Sequence, residues 1–413
     1  MKSRDMKISF LKKLCLLVIL ISAANLKAQD FTYVDSGTEF LLYDVAIPEG
    51  QNDIAYAAGA QFTANSDGII IKSTDSGNTW STIYPTSGTI DGIEKIDFID
   101  TMTGYAVGYN LFIKTTDGGV TWTDVVVAAD VWVYKSLTFY DADIGIVTAL
   151  TNGGSYEVYT TNDGGLTWNP IANTANMPSF AVAYADATTL YAVGANEVIS
   201  KSTDSGDTWV ELQSGTPTFF NLEVFFTDAN NGIVSGEDGT IHTTHDGGVT
   251  WSTYSNGYHN FYGLTNTVGI WIAAGTDQDV YVSWDNGTNW EVFHDGENIA
   301  TLYDMEFFSN GDGLICGSQG RMIKYTGAII GYDDFEDTTD LDIAYNPENA
   351  MLNLSSSEVI LETSIYSLDG KEVLHNTSNA VAVELDASNL SDGLYILKVK
   401  LDNTTRSVKF LKY

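Results

Sequence analysis

Chemistry in this chain has to come from carboxylates and aromatic rings. Its 413 residues hold 54 Asp plus Glu against 19 Lys plus Arg, together with 9 Trp, 23 Tyr and 18 Phe. Acids beside aromatics suit sugars, because a pair of carboxyl groups flanking a glycosidic bond can cleave it and ring faces can hold the sugar. The ligand-binding candidates are Asp91, Trp132, Tyr134, Phe220, His259, Phe261, Tyr262 and Tyr303. Their acidic neighbours are Asp130, Glu157, Glu237, Asp238, Asp277, Asp295 and Glu297, and no single acid stands out as catalytic. Metal and nucleophile chemistry have less to work with. Asp277-Gln278-Asp279 and Asp141-Ala142-Asp143 offer alternating carboxylates for a structural calcium, but no complete twelve-residue calcium loop is present. The histidines (His242, His245, His259, His294, His375) lack zinc spacing and a Ser or Cys partner motif. No Walker loop or dinucleotide fingerprint occurs, so beyond calcium no cofactor is expected.

The elements that position these residues are announced by a repeat of Ser/Thr-x-Asp-x-Gly-x-x-Trp. It occurs with Asp75, Gly77 and Trp80; Asp117, Gly119 and Trp122; Asp163, Gly165 and Trp168; Asp204, Gly206 and Trp209; Asp246, Gly248 and Trp251; and Asp285, Gly287 and Trp290. Successive tryptophans are 42, 46, 41, 42 and 39 residues apart. A period near forty with strand-like content marks a β-propeller. In the fifth unit, Leu222 to Phe226, Ile233 to Gly236, Thr240 to Thr244 and a strand opened by Trp251 are separated by Asn/Asp/Gly turns, which predicts four-stranded antiparallel blades. The aspartate can accept turn amides, the glycine can take positive φ, and the tryptophan can wedge between blades. A group repeated in every blade is a fastener, since catalysis needs its residues once.

After the sixth signature only three strands follow, within 301–325. The missing one is expected from the N-terminus, where Phe31 to Thr38 resembles Trp209 to Thr216, the outer strand of the fourth blade and the loop that follows it. The fold class is therefore all-β: a seven-bladed propeller closed by its own N-terminus, followed by a small immunoglobulin-like β-sandwich. Propeller topology puts the candidate acids and aromatics on one face, opposite the repeated signatures.

These signatures identify the repeat as the Asp-box, also called the bacterial neuraminidase repeat. Sialidases, xyloglucan-degrading glycosidases, sortilin-type receptors and propellers similar to photosystem II assembly factors share it. The Asp-Gly-Gly-x-Thr-Trp form, preceded by Val-Gly or Ser-Gly, looks most like the last group over about residues 30 to 327. A sialidase clamps its substrate carboxylate with an arginine cluster, and Arg321 is the one arginine between residues 29 and 328. The same scarcity argues against a photosystem role, where the resemblance implies a basic docking patch. The xyloglucan-degrading enzymes pair two propellers around one cleft, and this chain has one.

Both ends carry targeting signals. Five basic residues from Lys2 to Lys13 precede the apolar run Leu14 to Ala24, which reads as a secretory signal peptide cut after Ala28. That run is too short for a retained transmembrane segment, and none other approaches the length needed. Cleavage removes Cys15 and leaves Cys316 alone, so no internal disulfide is expected. It also takes the net charge from −35 to −40, as six basic residues and one acidic residue depart. So acidic a surface repels phosphate backbones, which excludes nucleic acid as a partner.

Near the C-terminus, Asn346-Pro347, Asp369-Gly370, Asp392-Gly393-Leu394-Tyr395 and the basic end with Lys409 and Lys412 resemble the sorting domain of type IX secretion cargo in Bacteroidetes. Tyr345 stands where that family usually has proline. Seven short strands are expected: Leu352 and Leu354, Val359 to Leu361, Ile365 to Leu368, Val373-Leu374, Val381 to Leu385, Tyr395 to Leu401, and Val408 to Leu411. The resemblance implies export by the type IX machinery, then removal of the domain by its sortase with anchoring or release. The domains are thus 1–28 signal peptide, 29–328 propeller, 329–342 acidic linker and 343–413 sorting domain. The functional expectation is a secreted or cell-surface scaffold that binds a glycan or surface protein without catalysis. The alternative is a glycoside hydrolase or lyase acting on an extracellular polysaccharide.

Overall fold

The computed structural model describes residues 31–412 apart from 62–66, 86–91, 128–129, 172–179, 214–218, 268–269, 284–285, 295, 297–299, 310, 327–340, 347–349, 368–371, 391–392 and 403–404. The expected signal peptide lies outside the described residues. The chain divides into two compact units, the blades and the C-terminal segment.

The first unit is seven four-stranded antiparallel sheets. Their innermost strands are Leu41–Ala46, Ile93–Phe98, Val131–Phe139, Ala181–Tyr184, Asn221–Phe226, Phe261–Thr267 and Leu302–Phe307. The inner strands of blades seven, one, two, three, four and five touch in succession, and blade six's meets blade seven's through Tyr262 and Tyr303, so they line the central channel. The seventh blade takes its outer strand from the N-terminus: Phe31–Asp35 pairs antiparallel with Arg321–Tyr325, from Phe31 opposite Tyr325 to Asp35 opposite Arg321. Tyr33 OH donates to Gln278 Oε1 of blade six (2.9 Å), and Ser36 Oγ donates to the Gly320 carbonyl (2.6 Å).

Strand periodicity builds the core. In blade one, Ala55, Ala57, Ile69 and Ile71 face blade seven and pack with Leu314, Cys316 and Met322. Their alternate neighbours Tyr56, Ala58 and Ile70 face blade two and pack with Ile93, Ile96, Phe98 and Ile113. Both faces of a blade are therefore apolar, which explains its nearly continuous hydrophobic middle strands. Cys316 is a fully buried member of this core, and burial pushes its thiol well up, so it is inert packing. Tyrosines on second strands stack on the next blade's inner strand: Tyr56 on Phe98 (3.6 Å), Tyr105 on Phe139 (4.7 Å) and Tyr191 on Phe226 (3.7 Å). Those phenylalanines lie over Gly104, Gly145 and Gly232, where a Cβ would meet the ring at 2.6, 2.6 and 2.4 Å.

The second unit contains five strands: Leu341–Asn346, Met351–Ser367, Glu372–Asp386, Gly393–Leu401 and Thr405–Lys412. The expected seven merge because Met351–Ser367 is continuous, as is Glu372–Asp386. Near its start Met351–Ser367 pairs with Leu341–Asn346; from Ile360 onward it pairs with Gly393–Leu401, with register breaks between Ser355 and Glu362. The polar run Ser355 to Glu358 thus lies where the long strand changes partners, at the place where a chain break was expected. Leu341 and Asp342, expected in the linker, belong to the first strand. Tyr395, Leu397, Val399 and Leu401 are buried while Lys398 and Lys400 are exposed, matching the alternation in the sequence.

Ile71 is fully buried at the junction of the first and last blades. Ile71→Ala is expected to lower unfolding free energy by roughly 2–5 kcal/mol. Urea denaturation at neutral pH checks this, with the exposed Thr123→Ala as the control.

Candidate functional site

The signature turns occupy one face, and their hydrogen bonds are spent on structure. In the first, Gly77 N donates to Ser73 Oγ (2.9 Å), Ser73 Oγ donates to Asp75 Oδ1 (2.8 Å), and Thr79 gives Asp75 both its N–H (2.8 Å) and its hydroxyl (2.6 Å). The turns at Asp117, Asp163, Asp204 and Asp246 repeat the Thr clamp on the carboxylate. Asp285 lies outside the described residues, though Gly287 N still reaches Ser283 Oγ (2.8 Å). The threonine directly before Trp80, Trp122, Trp168, Trp209 and Trp251, part of the Asp-Gly-Gly-x-Thr-Trp form but given no role there, is the residue that completes the box. Its bonds pull the Asp75 and Asp163 carboxyls down to about 2. The boxes also join blades: Lys72 Nζ and Tyr56 OH both donate to the Gly118 carbonyl (2.9 and 3.1 Å), and Lys201 and Tyr191 do the same at Gly247 (2.9 and 2.7 Å).

The opposite face holds most of the sequence candidates, sorted by burial. Trp132 is 46% exposed and meets Tyr109 edge-on at 5.6 Å. Phe220 is 36% exposed beside Phe180 at 5.3 Å. Tyr303 contacts both Tyr262 (5.5 Å) and Tyr43 (5.2 Å), and Tyr43 was missed from sequence. Two candidates prove to be core residues: Tyr134 packs on Phe112, and Phe261 packs on Tyr281, both buried. Asp91, Asp295 and Glu297 lie outside the described residues. His259 sits between Asp277 (3.4 Å) and Asp279 (3.5 Å), so the proposed calcium carboxylates face an imidazole. Asp141 Oδ1 caps its own turn by accepting from Asp143 N and Ile144 N (2.9 and 2.7 Å). Among the described residues no group of three or more His, Cys, Asp or Glu side chains could hold a metal ion.

Inside the channel is a charge network that sequence reading did not single out. Five inner strands carry a β-bulge near their start, skipping Tyr43, Glu94, Lys135, Leu222 and Tyr303. A bulge re-aims side chains. Below that layer, Lys95 of blade two binds Asp44 of blade one (2.9 Å) and reaches Glu223 of blade five (3.0 Å). Burial works against the Lys95 ammonium, but Asp44, Glu223 and Asp304 overcome it and hold the charge well beyond the usual lysine range. The acids also staple consecutive inner strands: Asp304 accepts from Val45 N (3.0 Å), Asp44 from Ile96 N (2.7 Å) and Asp97 from Phe139 N (3.0 Å). Desolvation raises Asp97 to about 6, and raises Asp304 and Glu306 further. The only sequence signal was a polar pair, such as Tyr43-Asp44, Glu94-Lys95 or Tyr303-Asp304, at the same place in successive blades.

Two family models match parts of the chain: the photosynthesis system II assembly factor YCF48 over residues 253–326, which span blades six and seven, and the secretion system C-terminal sorting domain over 344–413. The chain is an Asp-box propeller carrying a type IX sorting domain. It is secreted and belongs to the outer cell surface or its surroundings. No helix among the described residues is long and apolar enough to cross a membrane. The sorting domain implies handling by the type IX machinery. Of the sorting residues, Asn346 ends the first strand opposite Met351, Gly393 pairs with Lys412, Lys409 with Ile396, and Tyr395 with Phe410; Pro347 and Gly370 lie outside the described residues. Similar solved structures include YCF48 bound to D1 peptide (19% identity, TM-score 0.57, 72% of this chain and 95% of that one). YCF48 from Cyanidioschyzon merolae is 16% identical, with TM-score 0.54 and coverage of 72% and 98%. The WD40 propeller domain of Doa1 is 14% identical, with TM-score 0.55 and coverage of 71% and 97%. At these identities the likeness is one of fold. No curated protein matches the chain by sequence.

The two carboxylate classes pull stability in opposite directions with pH. The lowered box aspartates contribute stability that is present above about pH 4 and lost as pH falls toward 2. The raised Asp97 contributes stability present below its unfolded value near 4 and lost as pH rises through about 6. Thermal stability is therefore expected to peak near pH 4–5 and decline toward pH 8. Asp97→Asn should flatten that decline and raise Tm at pH 8 by roughly 3–6 °C, whereas the exposed Asp124→Asn leaves the profile unchanged; scanning calorimetry across pH 3–8 reads both.

Proposed function

We propose that the protein is a secreted ligand-binding propeller whose face opposite the Asp-boxes takes a glycan or a surface protein. The observation that carries this reading is the set of aromatics there that keep accessible surface: Trp132 and Phe220 are exposed, and the half-buried Tyr43, Tyr262 and Tyr303 gather at the channel mouth. A rigid ring presents such residues preformed, which spares a ligand the cost of ordering them. The described acids are engaged differently. Asp44, Asp97 and Asp304 accept backbone N–H groups across blades, and Asp277 and Asp279 face His259. A carboxylate that holds two blades together is poorly placed to move a proton for a substrate, which supports binding over hydrolysis. In the same reading, the signal peptide delivers the chain to the periplasm. The type IX sortase then removes the sorting domain, and the propeller is anchored or released.

The mature chain is to be screened against a glycan array, soluble polysaccharides and intact cell-surface protein, with calcium present and then chelated. Retention without release of reducing ends is expected, unchanged by chelation and weakened at least fivefold by Trp132→Ala. Protein ligands are scored by photo-crosslinking from position 132. Release of reducing ends would replace this reading with the glycoside hydrolase or lyase alternative.

A further inference from the structure

We infer that the channel mouth recognises a basic side chain, a lysine or arginine presented by an extended polypeptide, which enters among Tyr43, Tyr262 and Tyr303 above the channel acids. This rests on the binding reading above and names the ligand chemistry of one part of that face.

Ring geometry comes first. Tyr303 meets Tyr43 at 60° between ring planes and Tyr262 at 67°. A sugar stacks on a flat, open ring face, whereas rings set steeply to one another turn their π faces in different directions over a small area. A cluster of that kind offers a compact cation the attraction of more than one ring quadrupole. The three tyrosines are half-buried, so the cluster is partly desolvated and still reachable.

The second observation is charge. Glu94 acts on the Tyr43 phenol, and Asp44 and Asp304 follow Tyr43 and Tyr303 in their strands, one residue deeper. The chain already satisfies this channel with an ammonium of its own, since Lys95 sits between Asp44 and Glu223 at 2.9 and 3.0 Å. It also places Lys135 Nζ over the neighbouring Tyr109 ring at 5.4 Å, while Lys135 pairs with Glu94 at 3.4 Å. A cation is therefore held twice beside the three tyrosines, by two carboxylates at Lys95 and by a ring with a carboxylate at Lys135, and among the described residues neither cation lies over Tyr43, Tyr262 or Tyr303. A net charge of −35 extends the same preference over longer range and steers basic partners toward the protein.

The test uses the mature chain and four synthetic peptides, Gly-Ser-Gly-X-Gly-Ser-Gly with X as lysine, arginine, norleucine or citrulline. Binding is followed by NMR of ring-labelled tyrosine. The lysine and arginine peptides are expected to shift the Tyr303 ring signals. Norleucine and citrulline, which match their shapes without charge, should bind at least tenfold more weakly. Affinity for the lysine peptide should fall at least threefold between 50 and 300 mM NaCl. Tyr303→Ala should lose at least fivefold, while Tyr303→Phe, which keeps the ring and guards against misfolding, should stay within twofold. Equal binding of the neutral peptides, or no ring shift with any of the four, overturns the inference. If Trp132-dependent retention of a glycan or surface protein survives that result, the binding reading stands without it; if both fail, both fall.

Discussion

Every blade of this propeller is apolar on both faces, and that constraint governs the rest of the molecule. A four-stranded sheet with Ile69 and Ile71 on one side and Tyr56 and Ile70 on the other cannot shield itself, so it needs a neighbour at each face. An open row of blades would leave two faces bare, and a ring leaves none. The closing strand Phe31–Asp35 follows from the same need. It gives blade seven its fourth strand from the far end of the chain, so blade seven cannot be completed until the N-terminus returns. Without a disulfide, closure depends on that ladder, on Tyr33 bonded to Gln278, and on Arg321 lying over the Tyr33 ring at 4.8 Å.

Given the ring, polar groups have two places to go, and each imposes its own chemistry. On the signature face, the box aspartates are solvated and receive several hydrogen bonds, which favour the carboxylate. In the channel, Asp97 and Glu306 accept a single cross-blade N–H each while losing most of their water, which favours the neutral acid. One residue type thus serves as fastener at both ends of the blades with opposite shifts. Lys95 is the one ammonium in direct contact with the channel acids among the described residues, and it spans from blade one to blade five. A single charge bridging blades this far apart ties the ring across its middle, whereas the box and tyrosine contacts tie each blade only to the next.

Legibility in the sequence followed the range of each signal. The boxes, the turns and the closing strand were readable because each is written within eight or so consecutive residues. The inner strands were located, as at Leu222 to Phe226, but the facing of their side chains was not, because a bulge shifts parity by one residue and leaves no local mark. Two register shifts in Val131–Phe139 put Trp132 in solvent and Tyr134 in the core, although two residues apart they should share a face. Of the adjacent Phe261 and Tyr262, both expected on the rim, the first fills the core. The channel network stayed hidden for a further reason: Lys95 and Glu223 are 128 residues apart, and only ring geometry brings them together. In the sandwich, polar runs at Ser355 to Glu358 and Asn376 to Asn379 resembled turns, yet both halves of each strand found ladder partners and the chain continued through.

Each of the two units closes a core of its own. The sandwich closes its core on Leu352, Ile365, Leu397 and their neighbours, all from the C-terminal segment. The blades close theirs on residues before Thr326. Among the described residues the two sets share no member. The aromatics opposite the boxes sit on the loops and strand starts of a ring whose stability is supplied by interblade packing, boxes and channel staples. Trp132 and Phe220 take part in that packing, since Trp132 meets Tyr109 of blade two and Phe220 meets Phe180 of blade four while each keeps part of its ring exposed. A substitution at either position therefore changes the exposed surface and an interblade contact together, so loop residues without such a contact are where the face can change at least cost in stability.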